Sequence, residues 1–465
     1  MKNYLIVHQR KLESQKNLED YRNRIMKKYR KNKIIETLKK MKFNLNKYIL
    51  NLKIDGIIKK YPEDFIVEEI TKEGIVLEYG KELKETFKDV PKWNGSYIHF
   101  TLEKINWNTI DAIRELAKRT NSKRKNFGFA GTKDKFAITT QRVGCFGIKP
   151  EILDGIKDSI KDLKIKDIQK TNIGIRMGDL WGNRFTIRIR LNDVNKYNED
   201  NKENNKNNKK DMDNENINNK NNKEKMESLK TLKNIKLDYV LNYYGIQRFG
   251  SFRPITHVVG KFIYNRDFES AFYTYCGTPI MEEGKAFEAR NLVDEGYFKE
   301  SLKIYPKRLY YEIRVIKRYL KTGSFKESFK ILPPQLKSMF VNAYQSYLFN
   351  EMINKRYEYG FEAQDGDILL DGIPTGALLG SNSYLELAGG LQGEIEREII
   401  EKEGIDLKAF KIEDFGNFPG TRRKLITKVY DFECYNNNRE IILKFKLEKG
   451  CYATAVLREF IPKVY

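Results

Sequence analysis

The sequence predicts an α+β fold, a mixed and mainly antiparallel sheet with flanking helices. Three observations carry this. Apolar residues recur at every second position around 65–67, 98–102 and 185–191, the period of strands whose sheet has one less-buried face. A helical segment, WNTIDAIRELAKRT, lies between the second and third of these. From about 270 to 415 the texture turns to helices and Gly-rich turns, and strand-like alternation returns after it.

Taken in order, residues 1–50 form a basic, mostly helical extension in which Ile34, Ile35, Leu38 and Met41 fall at helical spacing. That extension either faces a nucleic acid or packs on the core. IIKKYPEDFIVEEI reads as a strand around a turn at Pro62, with Phe65 and Val67 alternating against polar neighbours. SYIHFTLEKI places Ile98, Phe100 and Leu102 on one strand face. Asn108 is positioned to cap the next helix, whose Ile110, Ile113, Leu116 and Ala117 make one stripe. NFGFAGTKDKFAITTQRVG reads as strand, turn, strand, and NRFTIRIRLNDV as another alternating strand. Residues 201–223 contain 11 Asn among 23 residues. Such a tract buries too little apolar area to offset chain entropy, so a disordered loop is expected at about 195–228. PPQLKSMFVNAYQSYLFNEMINKRY is helical, and REIILKFKLEKGCYATAVLREFI is read as strand-like to its end. No internal repeat is found.

Composition narrows the function. A chain of 465 residues suggests two or three domains. No window approaches the ~18 apolar residues of a membrane span. The opening MKNYLIVHQRK lacks a secretory h-region, which leaves the cytoplasm as the expected location. The net charge is +23, and residues 1–50 alone hold 15 basic and 4 acidic side chains. Such a surplus favours a polyanionic partner, because each cation that meets a phosphate releases a condensed counterion. The four cysteines and three histidines are scattered without ligand spacing, so no metal site is expected.

Three segments carry candidate chemistry. In Gly128-Phe129-Ala130-Gly131-Thr132-Lys133-Asp134-Lys135, a carboxylate sits between two lysines on a turn, and nearby positive charge favours the anion. Gly131 would allow close backbone approach to a ligand. The spacing does not fit a phosphate-binding P-loop, since Gly128 and Gly131 are too close and Asp134 stands where a hydroxyl belongs. Asn242-Tyr243-Tyr244-Gly245-Ile246-Gln247-Arg248 offers an aromatic face, an amide and a guanidinium, the parts that hold an unstacked base. It also suits a helix end stopped by Gly245. The third is Lys59-Lys60-Tyr61-Pro62-Glu63-Asp64-Phe65-Ile66-Val67-Glu68-Glu69, which also suits a strand after an ordinary Pro-initiated turn.

Together, GTKDKFAITTQ, NYYGIQRFG, PEDFIVEE and the late Gly450-Cys451-Tyr452-Ala453-Thr454-Ala455 stretch resemble the TruD family of pseudouridine synthases, in that family's order, over roughly residues 55 to 465. The resemblance implies a pseudouridine-synthase-type sheet interrupted by an α/β insertion domain. The catalytic domain would be discontinuous, formed by residues 51–269 and 416–465, with the insertion at 270–415 between them. It implies isomerisation of a uridine in RNA, mainly transfer RNA and typically uridine 13, with no cofactor, no metal, no membrane and no obligate protein partner. Asp134 would be the catalytic residue. Tyr244 would stack on the target base, Asn242 would help position the aspartate, and Lys59, with Lys60 as the alternative, would pair with it. Phe65 is the aromatic of its motif, and Lys133 and Arg248 complete the substrate-binding set. The competing expectation is a non-catalytic RNA-binding module on the same scaffold.

Overall fold

The structure is a computed structural model that describes residues 25–42, 45, 47–83, 96–192, 232, 235–382, 386–437 and 439–461. The chain divides into two compact units. One comprises Tyr48–Asn242 and Ile426–Val464, the other Tyr243–Leu425 with the segment before Tyr48. Residues 1–24 and the Asn-rich tract lie outside the described residues.

The first unit is built on one sheet. Among the described residues the strands of this sheet are β1 (Gly56–Ile57), β2 (Phe65–Ile70), β3 (Tyr97–Ile105), β4 (Phe127–Phe129), β5 (Ile138–Phe146), β6 (Leu163–Thr171), β7 (Gly182–Leu191), β8 (Tyr430–Asn436) and β9 (Glu440–Glu448), and a separate antiparallel pair joins Tyr239–Leu241 to Ile426–Lys428. The order across is β8-β9-β7-β2-β5-β3-β6, with β1 added on β7 and β4 on β5. Every pairing is antiparallel except β2 with β5, which run parallel with Ile66 opposite Ile138. The sheet is therefore mixed and mainly antiparallel, as expected. Its one parallel pairing sets the N-terminal ends of β2 and β5 side by side, so the segment entering Phe65 and the loop entering Ile138 meet at one end of the sheet.

The alternation in the sequence is the alternation of packing. Ile98, Phe100 and Leu102 share a core with Ala112, Ile113, Leu116 and Ala117 of the helix Thr109–Arg119. Asn108 caps that helix, accepting from the Asp111 N–H at 2.8 Å. Ile110, expected in the stripe, is only partly buried, and Ala112 takes its place. Phe65, Val67, Phe185, Ile187 and Ile189 pack with Ile441, Leu443 and Phe445 of β9 and with the C-terminal helix Ala453–Phe460. That helix corrects the expected strand. Alternation ends at Glu448, Gly450 turns the chain at φ +80°, and Val456, Leu457 and Phe460 then face the core at helical spacing.

The second unit is mainly helical, around the long helix Pro334–Arg356. It begins before the 270 expected from texture and ends after 415. The helix Thr256–Tyr264 packs on the long helix, and Thr421–Lys424 pairs with Ile373–Leu378. The helices approach closely at Gly260, where a Cβ would lie 2.0 Å from the Phe340 carbonyl oxygen. The basic helix 25–40 belongs to this unit and packs through buried Ile34 and Met41. Arg30 pairs with Glu269 at 2.9 Å and Lys33 with Asp267 at 2.6 Å. Among the described residues no helix is long and apolar enough to cross a membrane.

Among the described residues each unit holds one buried histidine, and burial makes it acid-sensitive. His99 Nε2 bonds the Ile173 carbonyl at 2.7 Å, and His257 Nε2 the Met41 carbonyl at 2.9 Å. Burial pulls each from 6.5 down to about 4, against the pull of its carbonyl partner. The unfolded chain thus binds more protons between these values. This stabilisation is complete above about pH 6.5 and is lost as pH falls toward 4, at about 3 kcal/mol per histidine. Urea midpoints of the sheet unit should fall from pH 7 to 4.5, and less steeply for His99→Gln. An equal slope in the two proteins would remove His99 from the acid response.

Candidate active site

Asp134 lies on the loop between β4 and β5, and several of that loop's polar groups hold it in place. The Lys133 N–H donates to Thr109 Oγ1 at 2.9 Å, and Thr109 Oγ1 donates to Gln141 Oε1 at 2.8 Å. Gln141 Nε2 returns to the Gly131 carbonyl at 3.1 Å. The Lys133 ammonium turns inward, where it pairs with buried Glu69 at 2.9 Å and donates to Asn183 Oδ1 at 2.7 Å. Lys133, expected on the substrate, is therefore a tether for the loop. Gly131 is under no packing demand, since a Cβ there would meet only Lys133 Nζ at 4.0 Å. The glycine that packing requires is Gly128, where a Cβ would lie 2.2 Å from the Ile175 carbonyl oxygen.

Held this way, the Asp134 side chain points outward and is 52 % exposed, with Oδ2 accepting from Lys59 Nζ at 2.6 Å. Lys59 reaches it because the parallel pairing of β2 and β5 brings their leading segments together. Three features fix Lys59. Its backbone adopts φ +56°, a left-handed conformation rare for a lysine, and such outliers gather at functional sites. Its ammonium lies 3.9 Å from the Phe65 ring centroid. The single turn Pro62–Asp64 that follows is anchored by Asp64, which is fully buried and bonded by Arg190 and by the Tyr61 N–H. Burial opposes ionisation of Asp64, but those hydrogen bonds outweigh it and hold the carboxyl below its ordinary value. Phe65 is itself a core residue, 4 % exposed, so in this structure it supports Lys59.

The remaining candidates straddle the point where the chain leaves the sheet unit. Asn242 is buried at the end of that unit, and Tyr244 and Arg248 belong to the helical one. The segment is not a helix end: residues 242–245 are extended or irregular, and a short 3-10 turn, Ile246–Arg248, follows. Asn350 brackets the Tyr244 backbone, accepting from its N–H at 2.9 Å and donating to its carbonyl at 3.0 Å. The Tyr244 ring is only 6 % exposed, with the Arg423 guanidinium 4.4 Å and that of Arg248 5.3 Å from its centroid. Arg248 Nε donates to Ser346 Oγ at 3.1 Å.

Sequence reading gives no sign that Thr109 and Glu69 hold the loop, the second although it lies in the third candidate segment, or that Lys104 lies beneath it. It also passed over Phe136, 42 % exposed two residues from Asp134. A large aromatic in a polar turn and a lysine on an apolar strand face were the available signals. Chemically, the arrangement presents one accessible carboxylate with a cation on it, on a loop with little freedom to move. That suits a nucleophile or a base acting on a bound ligand.

The chain matches the family profile described as tRNA pseudouridine synthase D (TruD) over residues 42–373 and 370–460. A Methanococcus aeolicus protein named "Probable tRNA pseudouridine synthase D" is 64 % identical over 428 residues, 91 % of this chain and 100 % of the relative. A Methanocaldococcus jannaschii protein of that name, numbered 1, is 54 % identical over 91 % of this chain and 100 % of its own. Among solved structures, a Methanosarcina mazei protein bearing the TruD name has a TM-score of 0.66 and 30 % identity, covering 92 % of this chain and 98 % of its own. Fold and relatives together define the class, an RNA-modifying isomerase of the tRNA pseudouridine synthase type. Within it, the chain belongs to the TruD family.

Proposed function

We propose that this enzyme converts uridine 13 of transfer RNA to pseudouridine, with the Asp134 carboxylate as the catalytic group. The observation that carries this reading is the exposed carboxylate, paired with Lys59 at 2.6 Å on a loop tethered through Lys133, Thr109 and Gln141. The target nucleoside leaves its stack at a cost of a few kcal/mol, and stacking on an aromatic ring returns about 1–3 kcal/mol per base. Tyr244 is assigned that ring, Arg248 the neighbouring RNA backbone and Asn242 the positioning of the aspartate. Asp134 either attacks the ribose carbon or removes a ribose proton to give a glycal. In both routes the bond from the sugar to N1 breaks, the base rotates, and a bond to C5 forms. The proton lost from C5 is balanced by the one N1 gains, so no redox equivalent is consumed. Incubating the enzyme with transcripts tritiated at C5 of uridine tests the position. Tritium should be released from a transcript with uridine 13 and not from one with cytidine there. Equal release from both would move the target elsewhere.

The basic helix 25–40 suits the phosphate backbone of that RNA. Lys27, Arg30, Lys33 and Lys40 pair with acids of their own unit. Lys28, Lys31, Lys39 and the following Lys42 are exposed and have no ion-pair partner among the described residues. Each phosphate contact contributes about 0.7–0.9 to the slope of log affinity against log salt. Replacing these four lysines together by Gln should make that slope shallower by about 3. An unchanged slope would remove the helix from the RNA interface.

A further inference from the structure

Lys104 breaks the pattern of its strand. In β3 the residues Ile98, Phe100 and Leu102 enter the core, and the next position on the same face carries Lys104, with 0 % exposure. An ammonium removed from water is costly unless it is hydrogen-bonded and compensated, and sequences that break their own pattern tend to do so where function demands it. Its Nζ donates to the Trp107 carbonyl at 2.5 Å and to the carbonyl of Asp134 at 3.2 Å. Among the described residues no carboxylate forms an ion pair with it.

We propose that Lys104 is a positioning residue for the isomerisation: its buried ammonium grips the main-chain carbonyl of the catalytic aspartate and so fixes the loop that presents the Asp134 carboxylate. This rests on the assignment of Asp134 as the catalytic group. The aspartate is then held by two lysines in different ways, Lys59 outside on the carboxylate and Lys104 beneath on the backbone. The bond to Trp107 ties the same ammonium to the turn after β3, which is why a cation with several donors serves where a neutral apolar residue would not.

The charges facing Nζ are the Asp134 carboxylate and the Lys133 ammonium, both from the catalytic loop. Burial draws Lys104 from 10.5 down to about 8, with Asp134 opposing the fall and Lys133 adding to it. As pH rises through that value the ammonium loses its charge and one of its three donors, and the grip on the two carbonyls weakens.

The test is the single-turnover rate of the full-length enzyme on transfer RNA from pH 6.5 to 9.5, with RNA affinity measured alongside. The wild-type rate should fall about tenfold per pH unit above about 8 while affinity holds. Lys104→Met should bind RNA within about threefold of wild type, react about a hundredfold more slowly at pH 7, and lose that alkaline limb. A wild-type rate that stays flat across the Lys104 titration, followed by NMR of ¹³C-labelled lysine, would overturn the proposal without any variant, even if Lys104→Met does not fold. A variant with the wild-type rate, or one that keeps the same limb, would overturn it equally. Asp134→Asn run in parallel separates the two levels: product from that variant removes the assignment of Asp134, whereas product from Lys104→Met at the wild-type rate removes only Lys104.

Discussion

Replacing Asp134 by Asn should reduce pseudouridine formation by about 10⁴-fold or more, while transfer RNA affinity stays within about threefold of wild type. The size follows from the role. A factor of 10⁴ corresponds to about 5.5 kcal/mol of lost transition-state stabilisation, the scale expected for removing the proposed reacting group and larger than that of a typical binding contact. The fold should survive, because the pair with Lys59 is half exposed and such surface pairs contribute about 0–1 kcal/mol. The amide is also the same size as the carboxylate, so the loop keeps its tethers. Quantifying pseudouridine in transfer RNA by nuclease digestion and mass spectrometry checks the rate, and a filter-binding titration checks affinity. Activity within tenfold of wild type would mean that the reacting group lies elsewhere.

The second large effect is expected at Lys133. Its ammonium and the Glu69 carboxylate are both nearly out of solvent, and Asn183 is the ammonium's second partner. Lys133→Met leaves the Glu69 charge buried without its cation, a change worth about 3–5 kcal/mol of stability. All three tryptophans fall between residues 93 and 181, so fluorescence-monitored urea unfolding reports this unit. Adding Glu69→Gln should recover most of the stability by removing the stranded charge. It should not recover the rate, because the loop still lacks its inward tether and a misplacement of ~1 Å can cost about a hundredfold. Rate returning together with stability would show that Lys133 acts only through folding.

Much of this was legible from local pattern. Strand faces such as Phe185, Ile187 and Ile189 are set by period-two burial, which sequence displays directly. The GTKD and PEDF segments were recognisable by their resemblance to the TruD family, and the structure pairs Lys59 with Asp134 across 75 residues. What local pattern does not show is side-chain direction within a loop. Lys133 and Lys135 flank Asp134 alike in sequence, yet the first turns inward because Glu69 and Asn183, from distant strands, wait there. The second stays exposed. Tyr244 reads as an open aromatic face, but in this structure its ring packs edge-on against Phe349, far along the chain. The segment ATAVLREF carries apolar residues that serve either period in a short window, and only the turn at Gly450 and the face it must cover decide for a helix.

The most direct measurement is the structure of the Asp134→Asn variant bound to its substrate transfer RNA. The side chain at position 134 should lie within about 3.5 Å of C1′ or C2′ of an extruded uridine 13. A bound uridine whose sugar lies elsewhere, with position 134 still facing solvent, would contradict the assignment of this carboxylate as the reacting group.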